Sequence, residues 1–305
     1  MAPVRPRRSA LYVPGSNARA LAKARSVPAD VLILDLEDAV APAAKEEARR
    51  AVVQDLANGG HAPRERVVRV NGPGTPWIGA DLAAAARSGA DAVLLPKVES
   101  AGGVREAERG LEAAGAPAEL ALWAMVETPR GVLAAAEIAA ATPRLACLVA
   151  GTSDLVKDLR ARHTPGRSEV LTALSLMVLA ARANGLAVLD GVHLDLADDA
   201  GFEAACVQGR DLGFDGKTLV HPRTVEAANR VFAPAAGEVA QARRVIAAHA
   251  VAEAAGQGVV VVDGRLVEAL HVEAAHRLVA LAEAVAARAG WPGPRPGPAG
   301  PRTSG

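Results

Sequence analysis

Aromatic side chains are scarce in this chain of 305 residues: tryptophan, tyrosine and phenylalanine make up 2% of it, while half of all residues are hydrophobic. Its core must therefore be built from small aliphatic side chains, which suit helices packed closely on a parallel sheet. Only two cysteines are present, Cys147 and Cys206, too few for a disulfide framework. We expect both to be buried free thiols in a reducing compartment.

Neither sign of charge is in excess. The 34 lysines and arginines balance the 34 aspartates and glutamates, so the formal net charge is zero. This balance offers no electrostatic footprint for nucleic acid or for an anionic membrane surface. No apolar run approaches the length of a membrane span, and the basic start (residues 1–8) lacks the hydrophobic segment of a secretory signal. We predict a cytoplasmic protein with no nucleic-acid or membrane partner.

Short apolar runs alternate with Ala-rich amphipathic stretches along most of the chain. Strands that are apolar throughout and separated by helices indicate a parallel sheet buried on both faces. Eight such units fit a closed (β/α)8 TIM barrel of the α/β class better than an open sheet. The predicted strands are 10–14, 31–36, 66–70, 92–96, 120–126, 145–150, 187–191 and 217–221.

The pattern changes after the eighth unit. A helix is predicted near 238–255, a short apolar run at 259–262, a turn at Asp263-Gly264 and a last helix at 268–287. We therefore predict a catalytic barrel over 1–232 and a C-terminal helical extension over 233–289. The Pro/Gly-rich residues 290–305 are predicted to be a disordered tail.

Charged residues cluster where the predicted strands end. Glu127 ends the fifth strand and Asp154 follows the sixth, while acids or bases follow most of the others. In such a barrel these positions meet at one rim, where catalytic groups lie. Carboxylates as close together as these cannot all ionise without a counter-charge. Oxygen ligands without thiolates or paired histidines favour Mg²⁺, with Glu127 and Asp154 as the best pair.

A strand-end acid also has a structural explanation. Asp38 and Asp154 could each cap the next helix. For either residue taken alone, capping is as good an explanation as metal binding. Glu127 ends an apolar strand, and Arg69 lies inside one. A buried guanidinium is costly unless a carboxylate or a substrate anion pairs with it. The convergence of these residues favours a ligand site.

Seven short segments follow one another across nearly the whole predicted barrel: RSALYVPG (8–15), LDLEDA (34–39), RVN (69–71), LPKVE (95–99), ETP (127–129), GTSD (151–154) and GFDGKTLVHP (213–222). In this order they resemble the citrate lyase β-subunit family, which includes malyl-CoA and citramalyl-CoA lyases and belongs to the pyruvate-type aldolases. Each segment is weak evidence alone, and the resemblance rests on all of them together.

The resemblance implies roles for single residues. Glu127 and Asp154 look like the Mg²⁺ ligands, and Glu127 would also meet the substrate. Arg69 looks like the catalytic arginine that binds the reacting thioester carbonyl. Glu37 and Asp38 look like catalytic acids that orient water or a basic partner.

Further candidates come from the same resemblance. Glu268 stands where the family's C-terminal lid tends to carry a catalytic aspartate that reaches a neighbouring subunit's site. The additional substrate-binding candidates are Lys97, Tyr12, Lys217 and Pro222, the last two in the segment that borders the CoA site.

The activity implied is that of a Mg²⁺-dependent carbon–carbon lyase. Its substrate would be a 3-hydroxy-acyl-CoA thioester of the malyl, citramalyl or citryl type, cleaved by a retro-Claisen or retro-aldol reaction to a keto acid and acetyl-CoA. A homo-oligomer, trimer or hexamer, would be the assembly. Three alternatives stay open: a malyl-CoA thioesterase, an aldolase acting on free hydroxy-keto acids without CoA, and a citrate lyase subunit acting on an acyl-carrier thioester.

Overall fold

Eight parallel strands close into a barrel in the computed structural model, which describes residues 4–289. Each strand pairs with the next along the chain, and β1 closes the ring by pairing with β8. This confirms the predicted fold class. The strands are β1 (Ser9–Pro14), β2 (Val31–Asp35), β3 (Glu65–Arg69), β4 (Ala92–Leu95), β5 (Ala121–Val126), β6 (Leu145–Ala150), β7 (Ala187–Asp190) and β8 (Gly216–Leu219).

Helices follow the strands and cover the outside of the barrel, as right-handed β–α–β crossovers require. Two extra helical turns, Pro42–Ala44 and Pro222–Thr224, precede the second and the tenth helix. The barrel helices are α1 (Ala18–Ala24), α2 (Lys45–Asn58), α3 (Ile78–Arg87), α4 (Ala101–Ala113), α5 (Pro129–Leu133), α6 (Ala135–Ala139), α7 (Thr152–Asp158), α8 (Leu171–Ala183), α9 (Asp199–Leu212) and α10 (Val225–Val231).

Small side chains fill the layer between strands and helices, and one large side chain fills much of the barrel interior. Trp123 is fully buried there among Ile33, Leu94 and Val149. The Arg7 guanidinium stacks on its ring, 4.9 Å from the centroid, and pairs with Glu65 at 2.7 Å. Because Glu65 begins a strand, this pair lies at the amino-terminal end of the barrel. A cavity opens at the opposite, carboxyl-terminal end of the barrel.

Residues 7–232 form one compact unit, and a second unit begins at Ala233. The second unit contains α11 (Ala236–Ala254), a hairpin of β9 (Val260–Val262) and β10 (Arg265–Val267), and α12 (Ala269–Ala289). The hairpin turns at Asp263-Gly264, where both residues have positive φ, as the tight turns of two-residue hairpins demand. One face of the hairpin, with Val262 and Val267, is buried in this unit's own core.

Two other predictions concern the cysteines and membrane-spanning helices. Cys147 and Cys206 are buried free thiols. Between residues 4 and 289, no helix combines the length and the apolar character that crossing a bilayer requires. The predicted tail, 290–305, lies outside the described residues.

Candidate active site

A cavity of about 410 Å³ opens at the carboxyl-terminal ends of the strands. The structure brings five of the sequence-predicted residues into its lining, each from a different strand or from the segment that follows it. They are Tyr12, Asp38, Arg69, Glu127 and Asp154.

Arg69 is held by carboxylates from the neighbouring strand. Its Nε and one terminal nitrogen donate to the two oxygens of Asp35, each at 2.7 Å, and its other terminal nitrogen lies 2.9 Å from Glu37 Oε2. Asp35 is fully buried. A bidentate pair fixes the plane of the guanidinium, which a lysine could not reproduce. Two of the five N–H groups of Arg69 donate to Asp35, while the contact with Glu37 Oε2 is an ion pair without a hydrogen bond, so N–H groups of both terminal nitrogens are left for a ligand.

Glu37 links Arg69 to Lys97. Its Oε1 accepts a hydrogen bond from Lys97 Nζ at 2.6 Å. Burial alone would lower the pKa of Lys97, but the hydrogen bond to Glu37 and the negative charges of Glu37, Glu127 and Asp38 together outweigh it, so the pKa is raised and the ammonium keeps its charge. Tyr12 adds a ring whose centroid lies 4.7 Å from the guanidinium carbon of Arg69. Together these contacts keep the Arg69 guanidinium charged and fix its orientation.

Glu127 lies immediately beyond the end of β5 because the next residues start a helix. Thr128 caps α5 by accepting from Gly131 N at 3.0 Å, and Pro129 occupies the first helical position. The Glu127 carboxylate is 2% exposed, and its Oε1 accepts from the backbone N–H of Lys97 at 2.6 Å. Lys97 adopts a positive φ of 53° in this turn, a strained conformation for a non-glycine residue.

Burial raises the pKa of Glu127 to about 8. The Lys97 N–H opposes that shift, and the negative charges of Glu37 and Asp154 add to it. A buried carboxyl group with so high a pKa lacks a sufficient counter-charge, so a cation bound beside it would be strongly favoured.

Asp154 lies in the first turn of α7, and it does not cap that helix, whose N-cap is Gly151. Its carboxylate is 29% exposed and 3.7 Å from Lys157 Nζ. Asp38 likewise caps no helix; its carboxylate is 62% exposed and 3.7 Å from Arg69. For both acids the capping explanation therefore does not hold in this structure.

The donor set fits Mg²⁺. Within residues 4–289 no group of three or more His, Cys, Asp or Glu side chains is arranged to enclose a metal ion. Mg²⁺ does not need such a cage, because it typically takes one or two carboxylates and keeps water or substrate oxygens as its other ligands. Glu127 and Asp154 supply two carboxylates at the wall of an open cavity, one of them buried without a matching cation.

The backbone at Gly151 approaches Glu127 so closely that only glycine fits. A Cβ at Gly151 would lie 2.6 Å from Glu127 Oε2 and closer still to the Glu127 Cβ. Gly151→Ala should therefore displace the carboxylate and weaken Mg²⁺ binding by about 10- to 100-fold, the size of effect seen when the support of a metal ligand is lost.

Calorimetric titration with Mg²⁺ measures this effect. The matched control is Gly79→Ala in α3, where a Cβ meets nothing within 4 Å. Equal Mg²⁺ affinity in the two variants would argue against Glu127 as a ligand.

Three sequence-predicted residues lie elsewhere. Lys217 is fully buried, and its Nζ donates to Asp190 Oδ2 at 2.7 Å, so the structure does not bring it into the cavity. Pro222 begins the short helical turn that precedes α10 and is half-buried. Glu268 is an exposed residue of the second unit, directly before α12.

Lys97 is placed beside the cavity, through its contacts with Glu37 and Glu127. Asp35 is the site residue that the sequence interpretation left out. Its position in the LDLED segment was the available signal, because Asp35 is a third acid beside Glu37 and Asp38 and could neutralise the charge of Arg69.

Sequence comparison assigns the family. The HpcH/HpaI aldolase/citrate lyase family matches residues 8–222, which span the barrel from β1 to the end of β8 and beyond it. The chain belongs to this family.

Characterised relatives extend the likeness to the second unit. A (3S)-malyl-CoA thioesterase of Cereibacter sphaeroides is 51% identical over 282 residues, covering 92% of this chain and 96% of its own. Citrate lyase subunit beta of Escherichia coli is 38% identical over 284 residues, covering 92% and 94%. A crystal structure of CitE from Mycobacterium tuberculosis with magnesium, acetoacetate and coenzyme A has a TM-score of 0.72 and 33% identity, covering 92% of this chain and 99% of that one.

Proposed function

We propose that this protein is a Mg²⁺-dependent enzyme that hydrolyses a malyl-CoA-type thioester to the hydroxy acid and free CoA. The observation that carries the proposal is the cavity itself, which combines Arg69 with the carboxylates of Glu127 and Asp154. The Cereibacter relative, named a (3S)-malyl-CoA thioesterase and alike over nearly the whole chain, supports the choice of substrate and of reaction.

Glu127 and Asp154 would hold Mg²⁺, which would supply positive charge to bind and polarise the oxygens of the substrate. The thioester then reaches toward Arg69. When water attacks the thioester carbonyl, the carbonyl oxygen becomes an oxyanion, and N–H groups of Arg69 that do not donate to Asp35 can donate to it. Asp35 and Glu37 keep the guanidinium oriented, so little reorganisation accompanies the appearance of that charge.

Asp38 is the carboxylate best placed to move a proton. Asp35 is locked by Arg69, while Glu127 and Asp154 are assigned to the metal. Asp38 lines the cavity and remains 62% exposed. It would take the proton of the attacking water as the C–O bond forms, and return it to the CoA sulfur as the C–S bond breaks.

Carbon–carbon cleavage is the second candidate, and the likeness to citrate lyase subunit beta favours it. The same residues would serve. Asp38 would take the proton of the 3-hydroxyl group, the bond between carbons 2 and 3 would break, and its electrons would form the enolate of acetyl-CoA beside Arg69. Asp38 would then return the proton to the enolate carbon to give acetyl-CoA, and a keto acid would be released. A homo-oligomer with a lid formed by the second unit, including Glu268, stays a prediction of the family resemblance.

The products distinguish the two reactions. Purified protein is incubated with Mg²⁺ and (3S)-malyl-CoA, and malate, glyoxylate, acetyl-CoA and free CoA are quantified by mass spectrometry. Malate with free CoA supports the proposal, whereas glyoxylate with acetyl-CoA assigns the lyase. If malyl-CoA stays intact, both assignments are wrong. Asp38→Asn should slow either reaction by about 10²- to 10⁴-fold while leaving Mg²⁺ affinity nearly unchanged.

A further inference from the structure

Charged and apolar side chains occupy different parts of the cavity lining. Its charged side chains come from β2 and the loop after it, from β3, from the position after β5 and from the start of α7, namely Asp35, Asp38, Arg69, Glu127 and Asp154. The loops after β7 and β8 contribute Val192, Leu194 and Val220 instead. We call these three residues the apolar wall. In the closed ring of eight strands, β7 lies opposite β3, so the apolar wall faces Arg69 across the cavity.

Local contacts hold the apolar wall in place. Side chains alternate along the loop after β7: Val192 and Leu194 line the cavity, and His193 lies between them in the sequence. The His193 ring is edge-on to the ring of Phe202, with 6.0 Å between the centroids. The loop then ends at Asp198, which caps α9 by accepting from Gly201 N at 2.8 Å. Leu194 is nevertheless 57% exposed, and Val220 is 43% exposed. Large apolar side chains held in an open cavity are suited to contact with a ligand.

We infer that the apolar wall selects the substituent on the carbon that bears the substrate's hydroxyl group; this rests on the proposed function. Malyl, citramalyl and citryl thioesters differ only there, with hydrogen, methyl or carboxymethyl. The oxygens of the hydroxyl, the neighbouring carboxylate and the thioester carbonyl suit the charged side of the cavity. The remaining substituent then points to the uncharged side, against Val192, Leu194 and Val220.

A carboxymethyl group would find no partner at the apolar wall. Among the described residues that line the cavity, Arg69 is the only cation, and Asp35 and Glu37 already engage it. Placing a carboxylate against valine and leucine without a counter-charge removes part of its hydration and is unfavourable. Hydrogen and methyl carry no such penalty, and a methyl group changes rates only modestly in an apolar pocket. The substrate class is therefore malyl or methyl-substituted malyl thioesters, with citryl thioesters excluded.

The test compares malyl-CoA, citramalyl-CoA and citryl-CoA, scoring total thioester loss so that the result does not depend on which bond breaks. We expect kcat/KM for the first two to lie within about 100-fold of each other, and citryl-CoA to be at least about 100-fold poorer than either. In Leu194→Lys and in Val220→Lys the citryl-to-malyl ratio should rise by about 10-fold or more, because an ammonium then faces the carboxymethyl group. Leu133→Lys, on an 85% exposed side chain outside the cavity, is the matched control.

Binding of pyruvate and oxaloacetate provides a second readout, since they differ by the same methyl and carboxymethyl groups. With excess Mg²⁺, calorimetry should show tighter binding of pyruvate in the wild-type protein and a gain for oxaloacetate in the lysine variants. Citryl-CoA consumed as well as malyl-CoA would overturn the inference and leave the proposed function standing. If no thioester is consumed, the proposed function fails, and equal or absent binding of the two keto acids would then reject the apolar wall as well.

Discussion

Glu127→Gln is expected to lower kcat by about 10³-fold or more, because a metal ligand contributes several kcal/mol and about 1.4 kcal/mol corresponds to a factor of ten. Glutamine keeps the size of the side chain and can still accept the Lys97 N–H, so the strand end should be preserved. The matched control is Glu99→Gln, an exposed glutamate outside the cavity whose nearest cation, Arg130, is 3.7 Å away. Activity in Glu127→Gln equal to that of Glu99→Gln would remove Glu127 from the site.

The pH dependence of Mg²⁺ binding provides an independent check of the same residue. Burial raises the pKa of Glu127 to about 8, so the metal-free carboxyl group is mostly protonated at pH 7. Mg²⁺ must displace that proton, and its dissociation constant should rise about 10-fold per pH unit below pH 8 and level off above it. Glu127→Gln should lose this slope. A slope shared by wild type and variant would assign the proton to another group.

The same pKa fixes the sign of a stability effect in the metal-free protein. Between the ordinary carboxyl pKa and about 8, the folded state holds a proton that the unfolded state has lost. Raising the pH through this window therefore destabilises the metal-free fold, and adding Mg²⁺ should reverse the loss. Glu127→Gln should show neither effect, which thermal unfolding between pH 5 and pH 9 can establish.

The barrel and the location of its cavity could be predicted from the sequence because strand ends in a parallel barrel meet at one rim. Asp38, Glu127 and Asp154 follow that rule, and Arg69 is the last residue of β3, whereas Tyr12 lies within β1 and was a candidate from the family resemblance. The rule works without knowledge of strand register, since it uses only where each apolar run stops.

Predicting which charged residues pair within the barrel wall does require the register of the strands. Asp35 is directly opposite Arg69 across β2 and β3, and Asp190 is directly opposite Lys217 across β7 and β8. Strands that are apolar on both faces have no alternation to reveal which face a charged residue takes. Asp35 was therefore missed as the partner of Arg69, and Lys217 was interpreted as a substrate contact.

The second strand of the C-terminal hairpin was missed for a different reason. Arg265–Val267 follows the Asp263-Gly264 turn and forms β10, but only Val267 of its three residues is buried. A segment of three residues is too short to show a strand pattern of its own, and its pairing with β9 comes from the turn and from the core of the second unit.

Asp190→Asn is expected to cost about 3–5 kcal/mol of unfolding free energy, because it leaves buried cations without their counter-charge. Asp190 and Lys217 are both fully buried, and one Asp190 oxygen lies so close to Gly209 of α9 that a Cβ there would be 2.9 Å away. The group is thus enclosed between the barrel wall and α9. Arg167, from the loop before α8, also pairs with Asp190 at 2.7 Å, and its backbone φ is 52°.

Urea unfolding measures this cost, and two further variants make it specific. Asp211→Asn, which breaks the exposed pair with Arg210, should cost at most about 1 kcal/mol. Adding Lys217→Met to Asp190→Asn should recover about 1 kcal/mol or more, since it removes one uncompensated cation and substitutes a side chain of similar length. If the double variant keeps the Mg²⁺ affinity and turnover of the wild type, Lys217 stabilises the barrel wall and takes no part in binding substrate. Loss of substrate affinity at unchanged stability would restore Lys217 as a substrate contact.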